Sequence, residues 1–352
     1  MRPFFFIAVL ISLLPLGAFG QKPQTQFNGF GHVEFATDYT DHLDTYFILG
    51  EHDFFVTSKL NDKISFLGEY VIRFNSGSGT TFLPSIERSF VKFNYKNNHY
   101  LIAGKIHSPL NYWNDVYHHG RLFYPTVDRP TSFNYFVPLH TMGLQLQGQN
   151  LGKLNFGYDV VLSNGIASTD VFNDNVDLAW TVAFHIKPKE GMRIGASYYH
   201  DMLDNNISGV HSGHSGSKIN YSGPMYKGPL HYQLLSFSFA NFTDRWELLN
   251  EFSYNITRTD SLGTANNVSN FSYAGFRIKD KYVPYAKVEY MDIAKNDLHS
   301  YPFRVSKIAL GYKHEFSPYI NVKAQLERYN YSKHNTALPN KTSFEIQLAY
   351  GF

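Results

Sequence analysis

The segment Ser343–Phe352 sorts its residues onto two faces. Phe344, Ile346, Leu348, Tyr350 and Phe352 fall on one, and Ser343, Glu345, Gln347, Ala349 and Gly351 on the other. Side chains alternate sides along an extended strand, so this is a strand with an apolar face and a polar face. The pattern recurs upstream. Ile64, Phe66, Tyr70 and Ile72 oppose Ser65, Glu69 and Arg73; Leu154, Phe156, Tyr158, Val160 and Leu162 oppose Asn155, Gly157, Asp159 and Ser163. Leu178, Trp180, Val182, Phe184 and Ile186 oppose Asp177, Thr181, His185 and Lys187, while Ile320, Val322, Ala324 and Leu326 oppose Asn321, Lys323, Gln325 and Glu327. Helical spacing does not produce such pairs of faces.

Taken through the chain, the alternation predicts sixteen strands: 27–37, 46–60, 63–74, 85–96, 99–106, 139–149, 153–163, 175–187, 191–202, 230–241, 245–257, 269–279, 282–292, 303–315, 318–331 and 341–352. The connections fall into two classes. Tight ones sit at Asn61-Asp62, Asn97-Asn98, Asn150-Leu151-Gly152, Pro188-Lys189-Glu190, Phe242-Thr243-Asp244, Asp280-Lys281 and Phe316-Ser317, with the Asn, Asp, Gly and Pro content of turns. Longer ones occupy 38–45, 75–84, 107–138, 164–174, 203–229, 258–268, 293–302 and 332–340. Long and short alternate without a break, as in a barrel crossing a membrane with short turns on one side and long loops on the other. The Greek-key crossovers of a β-sandwich give no such order. An even count lets the first strand pair with the last and leaves no edge for lipid to strand. The expected fold is therefore all-β, a transmembrane antiparallel barrel. Sixteen strands enclose a lumen wide enough for water.

Composition fits a wall between lipid and water. The chain has 31 Phe and 26 Tyr but only 17% charged residues, and its mean hydropathy is −0.29. With 31 Lys and Arg against 29 Asp and Glu, no partner is recruited by bulk charge, and nucleic acid is not indicated. No cysteine is present, which excludes disulfides, thiolate metal sites and a Cys nucleophile. The N-terminus reads Met1-Arg2, an apolar stretch Phe4 to Leu16, and small residues Ala18 and Gly20 before Gln21-Lys22. That is the pattern of a signal peptide over 1–20, leaving 21–352 as one barrel domain. Aromatic residues near strand ends, such as Tyr350, Phe352 and Trp246, suit the girdles at the two membrane interfaces.

The longest loop, 107–138, is dense in aromatics and prolines, the wrong composition for a solvated tether. It needs a surface to pack on, and the inner barrel wall is the nearest, so the loop is expected to fold inward after strand five and narrow the pore. Its candidate constriction residues are His107, Tyr112, Trp113, Asp115, His118, His119, Arg121, Asp128 and Arg129. The alternation points Glu69, Arg73, Arg88, Lys92, Lys105, Glu289, Lys307, Lys323 and Glu327 into the lumen. Glu34, Glu51, Asp53, Asp177, Glu251, Glu345, Lys187, Arg193, Arg277 and Lys287 follow them. Neither sign dominates. Opposed charges across a narrowed lumen would set up a field that filters solutes, while paired charges would only stiffen the wall. Of the 16 histidines, His118 and His119, and His211 and His214 in a Gly- and Ser-rich stretch, are the candidates for holding a metal; the plainer reading is hydrogen bonding in a wet interior. No zinc spacing is present. No cofactor is implied.

A long inward loop after strand five looks like the general porins. The run His107 to Gly120, followed by Arg129-Pro130 and Leu139-His140, resembles a group of bacterial porin-like outer-membrane proteins loosely grouped with phosphate-selective porins. The local likeness covers about thirty-five residues. Only Arg121 and Arg129 occur in the loop, so the basic ladder of true phosphate porins is missing. The terminal Phe352 also resembles the signal by which barrels are recognised by the outer-membrane assembly machinery. The resemblance implies a Gram-negative outer membrane, lipid around the barrel, passive diffusion of small polar or ionic solutes, and no catalysis. General porins are commonly trimers, which makes a homotrimer the oligomer to look for, with Trp180 or Trp246 as candidate contacts. Two other readings stay open: a structural or secretion-associated barrel docking partner proteins through 107–138 and 203–229, and an outer-membrane hydrolase, for which adjacent His107 and Ser108 are no evidence of a dyad.

Overall fold

The computed structural model describes residues 23–74, 82–117, 120–166, 177–203, 229–260, 263–300, 302–332 and 338–352. The proposed signal peptide, His118, His119, His211 and His214 lie outside them. Sixteen strands appear in chain order: β1 Gln24–Tyr39, β2 Leu43–Lys59, β3 Ile64–Phe74, β4 Phe82–Lys96, β5 His99–His107, β6 His140–Leu151, β7 Phe156–Ser163 and β8 Ala179–Ile186. Then follow β9 Met192–Leu203, β10 Leu230–Phe242, β11 Trp246–Thr259, β12 Gly263–Phe276, β13 Tyr282–Asp292, β14 Arg304–Ser317, β15 Ile320–Tyr331 and β16 Lys341–Gly351. Every neighbour is antiparallel and the sheet closes from β1 to β16.

Closure is made by the chain end. Phe352 and Gly29 exchange two backbone hydrogen bonds of 2.9 Å each, and the Phe352 ring lies on Phe54. A side chain at Gly29 would collide with that ring at 2.5 Å, so glycine is what lets the last residue lie flat on the first strand. Deleting Phe352 is expected to lower the fraction of protein that refolds into lipid vesicles, read by strand circular dichroism; an unchanged yield would show that the closing pair is dispensable.

Burial runs inside out. Phe344, Ile346 and Leu348 are exposed on the outer face while Ser343 and Gln347 on the opposite face of the same strand are fully buried. The same holds around the wall, from Leu144 and Leu162 to Ile308 and Leu310, giving lipid an apolar surface. A polar cluster does sit within this belt: Asn250 Nδ2 donates to Ser272 Oγ at 2.8 Å and to Phe271 O at 3.1 Å, and Asn270 Nδ2 donates to Glu251 O at 3.3 Å. Satisfying one another this way is what makes polar groups tolerable where water is absent.

Two departures from strict alternation matter. β12 begins at Gly263, not 269, because Ala265 and Asn267 also point inward and pair with β11; a Gly-Thr-Ala-Asn-Asn stretch carries no apolar face to announce a strand. Lys105 is the second. Ile102 and Ile106 pack with Val161 inside the barrel, so alternation puts Lys105 on the opposite side, in register with Ser89 and Met142. Its Nζ turns to the Ile86 carbonyl oxygen at 2.5 Å. The rule that polar means inward fails here because this stretch of the inner wall is apolar.

Candidate functional site: the loop inside the barrel

The site starts from a neck. β5 and β6 end as a ladder with His107 opposite His140, and Ser108 N–H donates to Leu139 O at 2.9 Å, so the loop leaves and rejoins the wall at one place. Gly104, just before the neck, has φ +135°, and a Cβ there would lie 2.2 Å from Ser89 O. Only glycine fits that approach. The His107 and His140 rings are 5.4 Å apart, with His107 Nε2 3.7 Å from Glu69 and His140 Nε2 2.9 Å from Glu87. Glu87 escapes the alternation because the β3–β4 register slips between Glu69 and Tyr70; it is buried on the same side as Arg88, and Arg73 reaches it at 2.5 Å. A bulge leaves no mark in the apolar pattern.

From the neck a short helix, α1 (Asn111–Val116), lies against the far wall. Its first residue, Asn111, takes φ +63°, a left-handed turn asparagine tolerates. Trp113 is wholly buried, edge-on to Tyr117, Tyr124 and the wall residue Phe271 at 5.2, 4.8 and 5.4 Å. β11 holds the helix by polar bonds: Trp113 N–H donates to Glu251 Oε1 at 2.7 Å, and Asn111 Nδ2 to Ser253 Oγ at 3.0 Å. Asp115 pairs with Arg193 of β9 at 2.5 Å.

The chain then crosses to another part of the wall. Lys323 donates to Arg121 O, and Asn321 Nδ2 to Leu122 O at 2.6 Å. The Arg121 guanidinium bonds Val127 O at 2.9 Å and lies 3.7 Å from Asp128. Burial opposes the Arg121 charge, but Tyr124, Glu34 and Asp128 around it hold its pKa above the usual value. Burial likewise opposes the Asp128 carboxylate, and Arg121, Lys287 and Lys307 lower its pKa nonetheless. Arg129 is buried, and that burial lowers its pKa. A 3₁₀ turn, Thr131–Asn134, returns the chain: Thr131 donates from N and Oγ1 to Glu289 Oε2 at 2.8 and 2.6 Å. Tyr232 O–H donates to Phe136 O at 2.5 Å, and Ser300 Oγ to Tyr135 O at 2.9 Å. The loop is thus bolted to β9, β10, β11, β13, β15 and Ser300.

Of the expected constriction residues, the structure brings Tyr112, Trp113, Asp115, Arg121, Asp128 and Arg129 into the lumen. Trp113, Asp128 and Arg129 serve as packing and anchoring rather than as a lining, while Asp115 and the neighbouring Val116 keep exposed surface. The lumen charges mostly close on one another. Arg88 meets Glu69; Lys287 meets Glu289 at 3.1 Å and Glu327 at 2.8 Å; Lys313 and Arg277 share Glu247 and Glu315 at the short-turn rim. Lys92 instead donates to neutral Gln147 at 2.8 Å, and Lys307 lies 4.4 Å over the Tyr329 ring. Asp177 falls outside the strands, beside Trp180 on the outer face. Ser108 Oγ is buried without a hydrogen-bond partner among the described residues.

A sixteen-stranded closed wall with a long loop folded in after the fifth strand can be set against solved structures. An anion-selective porin from Comamonas acidovorans superposes with a TM-score of 0.68 at 10% identity, over 94% of this chain and 100% of that one. The outer membrane channel DcaP of Acinetobacter baumannii gives 0.63 at 10% identity, covering 96% and 100%. The fold is that of the porin barrels. OmpT, an outer membrane protein of Vibrio cholerae, superposes in its trimer form with a TM-score of 0.64 at 12% identity, over 94% and 100%. No protein-family model and no curated protein sequence matches the chain.

Proposed function

We propose that this chain is a porin-like channel of a Gram-negative outer membrane, exported by the leader at 1–20, through which small polar or ionic solutes diffuse passively. The observation that carries this reading is the loop itself. It crosses a polar-walled barrel and is fixed to several strands, the build expected of a part that sets the width of a water path. Solutes pass between the exposed face of α1, with Asp115 and Val116, and the wall from β4 to β9. That wall presents Lys92, Gln147, Asp159, His185 and Arg193; Gln145 and Gln147 both donate to Asp159 Oδ1, at 2.7 and 2.9 Å. Charges already tied to partners leave little net field, so selectivity between ions is weak.

The barrel carries out no catalysis, its outer belt faces lipid, and it assembles as a homotrimer, as the trimer form of OmpT does. Purified protein in planar bilayers is expected to give discrete conductance steps with a modest reversal potential under a salt gradient. Folded protein that inserts and never conducts would sink the proposal.

A further inference from the structure

A cavity of about 570 Å³ opens where α1 comes nearest the short-turn rim of the barrel. That is the size of a small-molecule site. One side is aromatic. Tyr112 of the helix and Phe242 at the end of β10 lie nearly parallel, ring centroids 6.2 Å apart and planes at 14°. The other side comes from two tight connections. Asn150 and Asn155 hold positive φ values of 54° and 46°, and Gly191 holds 72°, so these turns are fixed in shape. Asn155 Nδ2 ties them together by donating to Lys187 O at 3.3 Å.

The charges around this cavity are only partly paired. Arg193 is engaged: Asp115 meets it at 2.5 Å, and it lies 5.5 Å from the Tyr112 ring centre. Lys187 has only a neutral acceptor, Asn150 Oδ1 at 3.2 Å. Among the described residues, neither Lys187 nor Lys189 makes an ion pair, and the carboxylate in the lining, Glu190, makes none either. Burial, and then the charge of Arg193, lowers the Lys187 pKa, with Asp115 opposing. An aromatic wall opposite two ammonium groups that form no ion pair, in a lining of three basic side chains against the one carboxylate of Glu190, matches a flat ring carrying an acid.

We infer that this cavity binds a small aromatic carboxylate, its ring against Tyr112 and Phe242 and its carboxylate at Lys187 and Lys189. The site belongs to the folded barrel and requires no conduction, so it stands or falls separately from the channel reading. The test is ligand titration by saturation-transfer NMR on the refolded full-length barrel, with benzoate as the probe. Benzamide keeps the ring and loses the charge; acetate keeps the charge and loses the ring. A charge-assisted hydrogen bond corresponds to about tenfold or more in affinity. Benzamide should therefore bind at least that much more weakly than benzoate, and acetate, which lacks the ring that meets Tyr112 and Phe242, should also bind more weakly. Lys187→Gln with Lys189→Gln should bring benzoate down to the benzamide level while strand circular dichroism stays unchanged. Lys189→Glu alone, at an exposed turn, should weaken benzoate by a similar factor and guards against a folding defect in the double variant. Equal affinity for benzoate and benzamide, or benzoate binding unmoved by these substitutions, would overturn the inference.

Discussion

Cutting out residues 109–138 and bridging Ser108 to Leu139 with Asn-Gly is expected to raise single-channel conductance several-fold. The ladder already ends with His107 opposite His140, and Ser108 N–H bonds Leu139 O at 2.9 Å. A two-residue turn therefore closes the hairpin without moving either strand. What remains is a barrel whose inner face carries Glu251, Ser253, Glu289, Asn321 and Lys323. These now hold the loop and would instead hold water, at modest cost for groups that are polar already. The wall keeps all its strand pairs, so the shortened protein should still refold. Folded protein conducting no more than the parent would mean that the loop does not limit flow.

Replacing Lys287 with Met should destabilise the barrel by about 3–5 kcal/mol, since it strands two buried carboxylates without their counter-charge. Lys287 is fully buried, 3.1 Å from Glu289 and 2.8 Å from Glu327. Glu289 is also the acceptor that fixes Thr131, so the damage extends to the returning arm of the loop. Adding Glu289→Gln and Glu327→Gln to Lys287→Met removes the orphaned charges and should recover much of the loss. Urea titration in lipid vesicles measures both. A single variant within about 1 kcal/mol of the parent would show that water reaches the triad.

The barrel was legible because lipid imposes a simple rule. Each strand needs an apolar side, and that alternation marks all sixteen. Where the rule relaxes, reading fails. β12 starts early because the Asn-rich residues that lengthen it show no apolar face, and Glu87 turns inward at a bulge that spacing cannot reveal. Lys105 is misread because Ile102 and Ile106 occupy the inside, where the wall packs apolar residues together. The inward course of 107–138 follows from its aromatics, and Trp113 accounts for them by burying against Phe271. The bolts were not legible. Asn321, Ser253 and Ser300 are ordinary polar residues in sequence, and nothing about their type says that a loop backbone ends on them.

The inverted burial has a consequence for which sequences can build such a wall. An outer face that touches only lipid asks of each residue that it be apolar, with Leu, Val, Ile or Phe nearly interchangeable, whereas the inner face holds its loop through individual hydrogen bonds particular to each barrel. Neither face then pins the chain to a shared vocabulary: one accepts many words and the other writes its own. Barrels of this build can share as little as 10–12% identity and still superpose over almost their whole length. In such proteins the fold is written in the rhythm of the strands more than in the letters that fill them.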